Sequence, residues 1–253
     1  MLLVGALLAL GTAAGLATVG VLVALRAGRT HVPLGGAFFA LFWISAAGIA
    51  ASGGLRSLAA WARFDSFPLV VALEEVTTPL YCTAGASLLI YVVFLRTGTG
   101  KHVLPVALYY LALLPLLRYH VALAHPIGYA VTDWNVNYVY ERPLATPGYA
   151  ATLLLTIGPL LAALGAYAAL AFTLKGAAAR YRVLCVSLGL SLWITTEALA
   201  FATGLAASGE GELLRRLVAL GSTLVILTGY LPPAYAKRRW GARGPMDTLP
   251  ADS

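Results

Sequence analysis

The chain has 253 residues, of which 60% are hydrophobic and only 11% charged, and its mean hydropathy is +0.84. Soluble domains carry roughly 25% charged residues, so this composition excludes an ordinary soluble domain and points to a multi-pass membrane protein. The net charge of +7 does not indicate nucleic acid, because the basic residues are scattered through short gaps between apolar segments, where membrane topology accounts for them.

The first apolar run, residues 2–25, lacks a basic flank and is too long for a signal peptide. It reads as a first membrane span, closed by a basic loop at 26–31. A second span starts at Pro33 and is expected to end near Gly53 or a little beyond, where two adjacent glycines loosen it. Residues 55–66 mix Trp61 and Phe64 with Arg56, Arg63 and Asp65, and read as a short amphipathic connector in the headgroup layer. The third span, residues 68–95, carries Glu74 and Glu75 about two turns inside its apolar run. An isolated carboxylate in hydrocarbon is costly, so these acids are expected to be protonated, paired or turned toward a polar interior.

The fourth span, residues 103–124, contains Pro115, where a kink is expected, and ends with Arg118, Tyr119 and His120. In the long connector 125–147, Trp134, Val136, Tyr138 and Tyr140 alternate with Asn135, Asn137, Val139 and Glu141. This period of two fits a strand or hairpin over the bundle mouth, although an interfacial aromatic belt carries more weight. Three further spans follow at 149–174, with Pro159 inside, at 183–207 and at 213–235. Residues 1–240 thus form a single membrane domain, with a short polar tail at 241–253. Cys82 and Cys185 sit in apolar runs and read as packing residues; no metal-ligand spacing occurs, and no cofactor is assigned.

The expected fold is all-α, a seven-transmembrane helical bundle in the cell membrane. The first, third and fifth loops and the tail hold eleven Lys or Arg, the opposite side six. The positive-inside rule then places the N-terminus outside and the C-terminus in the cytoplasm. In that orientation Glu74 and Glu75, Glu197 of the sixth span, Arg118 and His120 at the end of the fourth, and Arg215 and Arg216 at the start of the seventh share the outer layer. Glu74, Thr78 and Tyr81 follow one another at helical spacing. The nine residues are candidates for lining an external cavity, with the arginines as counter-charges, that takes a small hydrophobic or anionic ligand. The adjacent acids point about 100° apart, so they are expected to serve different partners. His120 and His125 read as interfacial hydrogen-bonding residues rather than metal ligands, and Phe38, Phe39, Phe42 and Trp43 as packing or lipid-facing groups.

Several activities fit poorly. Lys101, Lys175 and Lys237 all lie outside the buried part of the last span, so a retinal Schiff base has no partner. Glu75 is followed four residues later by Pro79, which breaks the EExxxR pattern of an intramembrane protease, and the last two spans lack the histidines of a zinc hydrolase. The EE pair resembles that of membrane lycopene cyclases, but Ala72 stands where their proline would be. A membrane isoprenoid or lipid enzyme, or a small-solute transporter, remains an alternative reading.

A broader likeness lies in WARF before the third span, FLRTGTG after it, the long connector after the fourth, and the basic ARYR turn before the sixth. In this arrangement the chain resembles the seven-transmembrane N-terminal sensor region of bacterial and archaeal histidine kinases. The resemblance implies a sensor that binds a small molecule or lipid. It carries over no catalytic residue. The tail has no room for a kinase domain, so the partners expected are membrane lipids and a separate cytoplasmic signalling protein.

Overall fold

The structure is a computed structural model that describes residues 1–28, 33–124, 126–141, 146–202 and 209–241. Seven long helices follow one another: α1 (Leu2–Ala27), α2 (Pro33–Trp61), α3 (Phe67–Thr97), α4 (Val103–Ala124), α5 (Thr146–Thr173), α6 (Ala177–Ala202) and α7 (Gly209–Tyr230). A hairpin of β1 (Pro126–Val131) and β2 (Val136–Tyr140) joins α4 to α5, and a short α8 (Ala234–Trp240) follows α7. Among the described residues, five helices (α1, α2, α3, α6 and α7) are long and apolar enough to cross a membrane. The apolar stretches described in α4 and α5 are shorter, Val103–Leu116 and Ile157–Thr173.

The helices close a ring in the order α1, α2, α3, α5, α6, α7 and back to α1, while α4 packs outside it against α3 and α5. Small residues permit the closest approaches. A Cβ on Gly85 of α3 would collide with the Leu155 carbonyl of α5, and one on Gly189 of α6 would meet Ile226 and the Ser222 carbonyl of α7.

One end of the ring is filled by a continuous apolar core to which all six ring helices contribute, including Val19, Trp43, Leu88, Ala163, Leu190 and Ile226. Phe39 stacks on Tyr91 at 4.2 Å between ring centroids and meets Trp43 edge-on at 5.4 Å. Tyr167 and Tyr230 complete the cluster. Phe39, Phe42 and Trp43 are therefore interior packing groups rather than lipid-facing ones. Cys82 and Cys185 are free and buried.

The second helix departs from its expected end. It continues through Gly53 and Gly54 to Trp61, so the anticipated headgroup connector is mostly helix. The glycines serve contact, not termination: a Cβ on Gly54 would stand 2.8 Å from Leu10 Cγ and 3.3 Å from the Ala6 carbonyl of α1. Termination comes at Arg63, which adopts a left-handed φ of 59°. Its N–H bonds the Ala60 carbonyl at 3.1 Å while Phe64 N–H reaches back to Ala59 at 2.9 Å, the two-bond Schellman closure.

The seventh helix ends at Tyr230 rather than 235, because Pro232 and Pro233 cannot continue it and α8 starts after them. The sixth begins at Ala177, six residues before the expected start. Both α4 and α5 run as single helices through their internal prolines. The alternating connector forms the hairpin rather than only a belt of aromatics, in antiparallel register with Tyr129 opposite Tyr138 and Val131 opposite Val136.

Candidate functional site

The end of the ring opposite the aromatic cluster is polar. Ser66 caps α3, its side chain accepting from Leu69 N–H at 3.4 Å, and sets the helix running so that Glu74 faces α2. There Arg56 Nη1 donates to Glu74 Oε2 at 2.5 Å. Thr77, one turn further along α3, donates to Ser52 Oγ at 3.0 Å, and Ser52 donates to the Leu73 carbonyl at 2.8 Å. These contacts zip the polar faces of α2 and α3 together.

A second set is built on α7. Glu212 and Arg216 stand four residues apart, one turn, and Arg216 Nε donates to Glu212 Oε1 at 2.9 Å. Arg215 Nη1 reaches the other carboxylate oxygen at 3.0 Å. Arg216 is buried and uses its whole fork: Nη1 donates to the Gly5 carbonyl of α1, and Nη2 lies 3.4 Å from Ser57 Oγ of α2. One guanidinium thus joins three helices, which a single-point ammonium has no geometry to do.

The hairpin lies over this end. Trp134 presses its carbonyl against the Cα of Gly5, where any side chain would collide with it, and Asn135 Oδ1 lies 3.4 Å from Ser57 Oγ. Strand β1 is tied down by Tyr129, whose hydroxyl donates to Asp65 Oδ2 at 2.9 Å. The Asp65 carboxylate that accepts this proton holds the Tyr129 phenol above its ordinary pKa.

Between these groups lies a cavity of about 290 Å³. Its walls come from α1 (Ala9, Thr12), α2 (Ile49, Ala50, Gly53, Arg56), α3 (Glu74, Thr77, Tyr81), Asn135 and α7 (Glu212, Arg215, Arg216, Ala219). Among the described residues its wall holds three guanidiniums and two carboxylates in a partly desolvated space. Arg56, Glu74 and Arg216 lie roughly 8–11 Å from the nearer ends of their helices at 1.5 Å per residue, hence in one layer. No group of three or more His, Cys, Asp or Glu that could hold a metal ion occurs among the described residues.

Of the residues singled out in the sequence, Glu74, Tyr81, Arg215 and Arg216 meet at this cavity. Thr78 is replaced in the wall by Thr77, because the face toward α2 follows an i, i+3, i+7 path from Glu74 to Tyr81. Glu75 is exposed and does not line the cavity, its direction being about 100° from that of Glu74. The side chains of Arg118, His120 and Glu197 lie outside the described residues, as does His125. The counter-charge of Glu74 is Arg56, and Arg215 and Arg216 pair with Glu212; sequence reasoning proposed neither partner. The spacing of Glu212 and Arg216 was the available signal, whereas Arg56 was hidden by the assumption that α2 had already ended.

No protein family, curated protein or solved structure matches the chain. The membrane-like helical bundle and its polar cavity are therefore the ground on which function is argued.

Proposed function

We propose that the chain is a seven-span sensor or receptor-like module of the cell membrane, with its N-terminus outside, that binds a small anionic molecule in the cavity between α1, α2, α3 and α7. The cavity, whose described wall holds three guanidiniums and two carboxylates, carries this reading. Guanidiniums in a partly desolvated wall attract an anionic guest and disfavour a cationic one. The apolar wall of Ala9, Ile49, Ala50 and Ala219 favours a guest with a short hydrocarbon body. Seven spans fit the lengths of α4 and α5, 22 and 28 residues, which reach about 33 and 42 Å. The orientation rests on the distribution of basic residues, and the sensor class on the likeness to kinase sensor regions.

The closed aromatic core at the other end of the ring favours a receptor over a transporter, since alternating access requires the site to open to both sides. Occupancy of the cavity would bias the packing of α7 against α1 and α2, and α7 leads directly to α8, where a separate cytoplasmic partner would read the change. The test is a thermal-shift panel on purified protein with monocarboxylates, inorganic phosphate and zwitterionic amino acids, alongside flux of the same solutes into proteoliposomes. A monocarboxylate shift that Arg56→Gln abolishes, without flux, supports the reading. Flux, or a shift that is unchanged in the variant, overturns it.

A further inference from the structure

The opposite end of the molecule carries a second feature that the cavity does not use. Here Arg26, Arg96, Lys101, Lys175, Arg180 and the cations of α8 gather, and no Asp or Glu occurs at this end among the described residues. Within that field α8 is held in a defined pose. Pro233 caps it with φ −67° and ψ 162°, Ala236 is fully buried against Tyr181 and Cys185 of α6, and Trp240 packs on Tyr181 at 5.9 Å. Arg182 does not join the exposed set, because its Nε donates to the Gly229 carbonyl at 3.1 Å. The apolar side of α8 is thereby spent on the bundle, and Lys237, Arg238 and Arg239 are exposed around the rest of its circumference.

We propose that α8 is a docking surface for anionic phospholipid headgroups. The occupant follows from where α8 sits. It begins four residues after Tyr230, the end of an apolar helix long enough to cross a bilayer, so its cations lie within a few residues of the hydrocarbon boundary, at headgroup depth. Tyr235 and Trp240 flank the cations, and such aromatics prefer the boundary between hydrocarbon and water, with the ring in one phase and the polar tip in the other. A soluble acidic protein would satisfy the charges but would leave Tyr235, 65% exposed, and the adjoining Leu231 unaccounted for. Juxtamembrane cations beside an anionic leaflet each strengthen attachment several-fold.

The test is native mass spectrometry of the full chain in detergent titrated with phosphatidylglycerol and, separately, phosphatidylcholine. The expected result is selective retention of phosphatidylglycerol. Arg238→Gln with Arg239→Gln should weaken that retention about tenfold or more. Arg96→Gln with Lys101→Gln, which removes the same charge from the same end, should change it by less than about threefold. Equal losses in the two double variants would reduce the effect to the general field of this end and overturn the proposal, as would retention unaffected by the α8 change. Displacement of the lipid by glycerol 3-phosphate at equal phosphate concentration would overturn it too, by showing a site for the free anion. The single variant Arg239→Gln, expected to lose several-fold, replaces the double one if the latter does not fold.

Discussion

Arg56 of α2 and Glu74 of α3 meet at 2.5 Å in the wall of the cavity, the arginine side chain 14% exposed and the glutamate 32%. The pair is therefore partly screened, and its stability contribution is below that of a dry ion pair. Arg56→Gln and Glu74→Gln are each expected to destabilise the purified protein by about 1 kcal/mol. The double variant should fall short of the sum, because each single change breaks the same interaction and strands the other partner, whereas the double change strands neither. Thermal unfolding of the four proteins in one detergent checks this.

Arg216 is a harsher case. It is buried with Glu212, and its three nitrogens reach three helices. Arg216→Lys keeps the charge but serves at most one of these partners well, so a loss of about 3 kcal/mol is expected, approaching that of Arg216→Ala at about 3–5 kcal/mol. A lysine variant as stable as the parent would show that charge alone matters here.

Two glycines predict opposite signs. Gly85 faces the Leu155 carbonyl and the Tyr110 ring without room for a Cβ, whereas Gly165 in α5 has open space around its Cβ direction. Gly85→Ala should force α3 and α5 apart and destabilise by about 1–3 kcal/mol. Gly165→Ala should instead stabilise by about 0.5–1 kcal/mol through helix propensity. Both are read from the same unfolding measurement.

Much of the bundle is legible in the sequence, since apolar runs of 20 or so residues leave few alternatives to membrane helices. The places where the reading failed have local physical causes. Gly53 and Gly54 looked like the end of a helix, but their missing Cβ atoms admit Leu10 and Ala6 of α1, a tertiary contact that periodicity does not encode. That error moved Arg56 and Ser57 into a loop and concealed the partner of Glu74. Glu212 was overlooked because the seventh span was read from residue 213, whereas α7 starts at Gly209 and takes the acid into its first turn. The hairpin was visible as alternation from Trp134 onward, yet its placement over Gly5 and Ser57 depends on a contact across 129 residues of chain between Gly5 and Trp134.

The hairpin tether gives a pH signature. Tyr129 has its pKa raised in the folded state, so its bond to Asp65 contributes fully below about pH 10, the ordinary phenol value, and is lost as pH rises through the elevated value. Stability should therefore fall in that alkaline window more steeply in the parent than in Tyr129→Phe or Asp65→Asn. Parallel curves for the three proteins would remove the tether from the account.

The cavity walled by Arg56, Glu74, Glu212, Arg215 and Arg216 is expected to hold a small anion. Native mass spectrometry of the protein purified in parallel with Arg56→Gln, followed by identification of released small molecules, tests it most directly. A small carboxylate or other monoanion that accompanies the parent and is lost from a folded Arg56→Gln protein is the predicted result. The same molecules in both samples, or none in either, would contradict it.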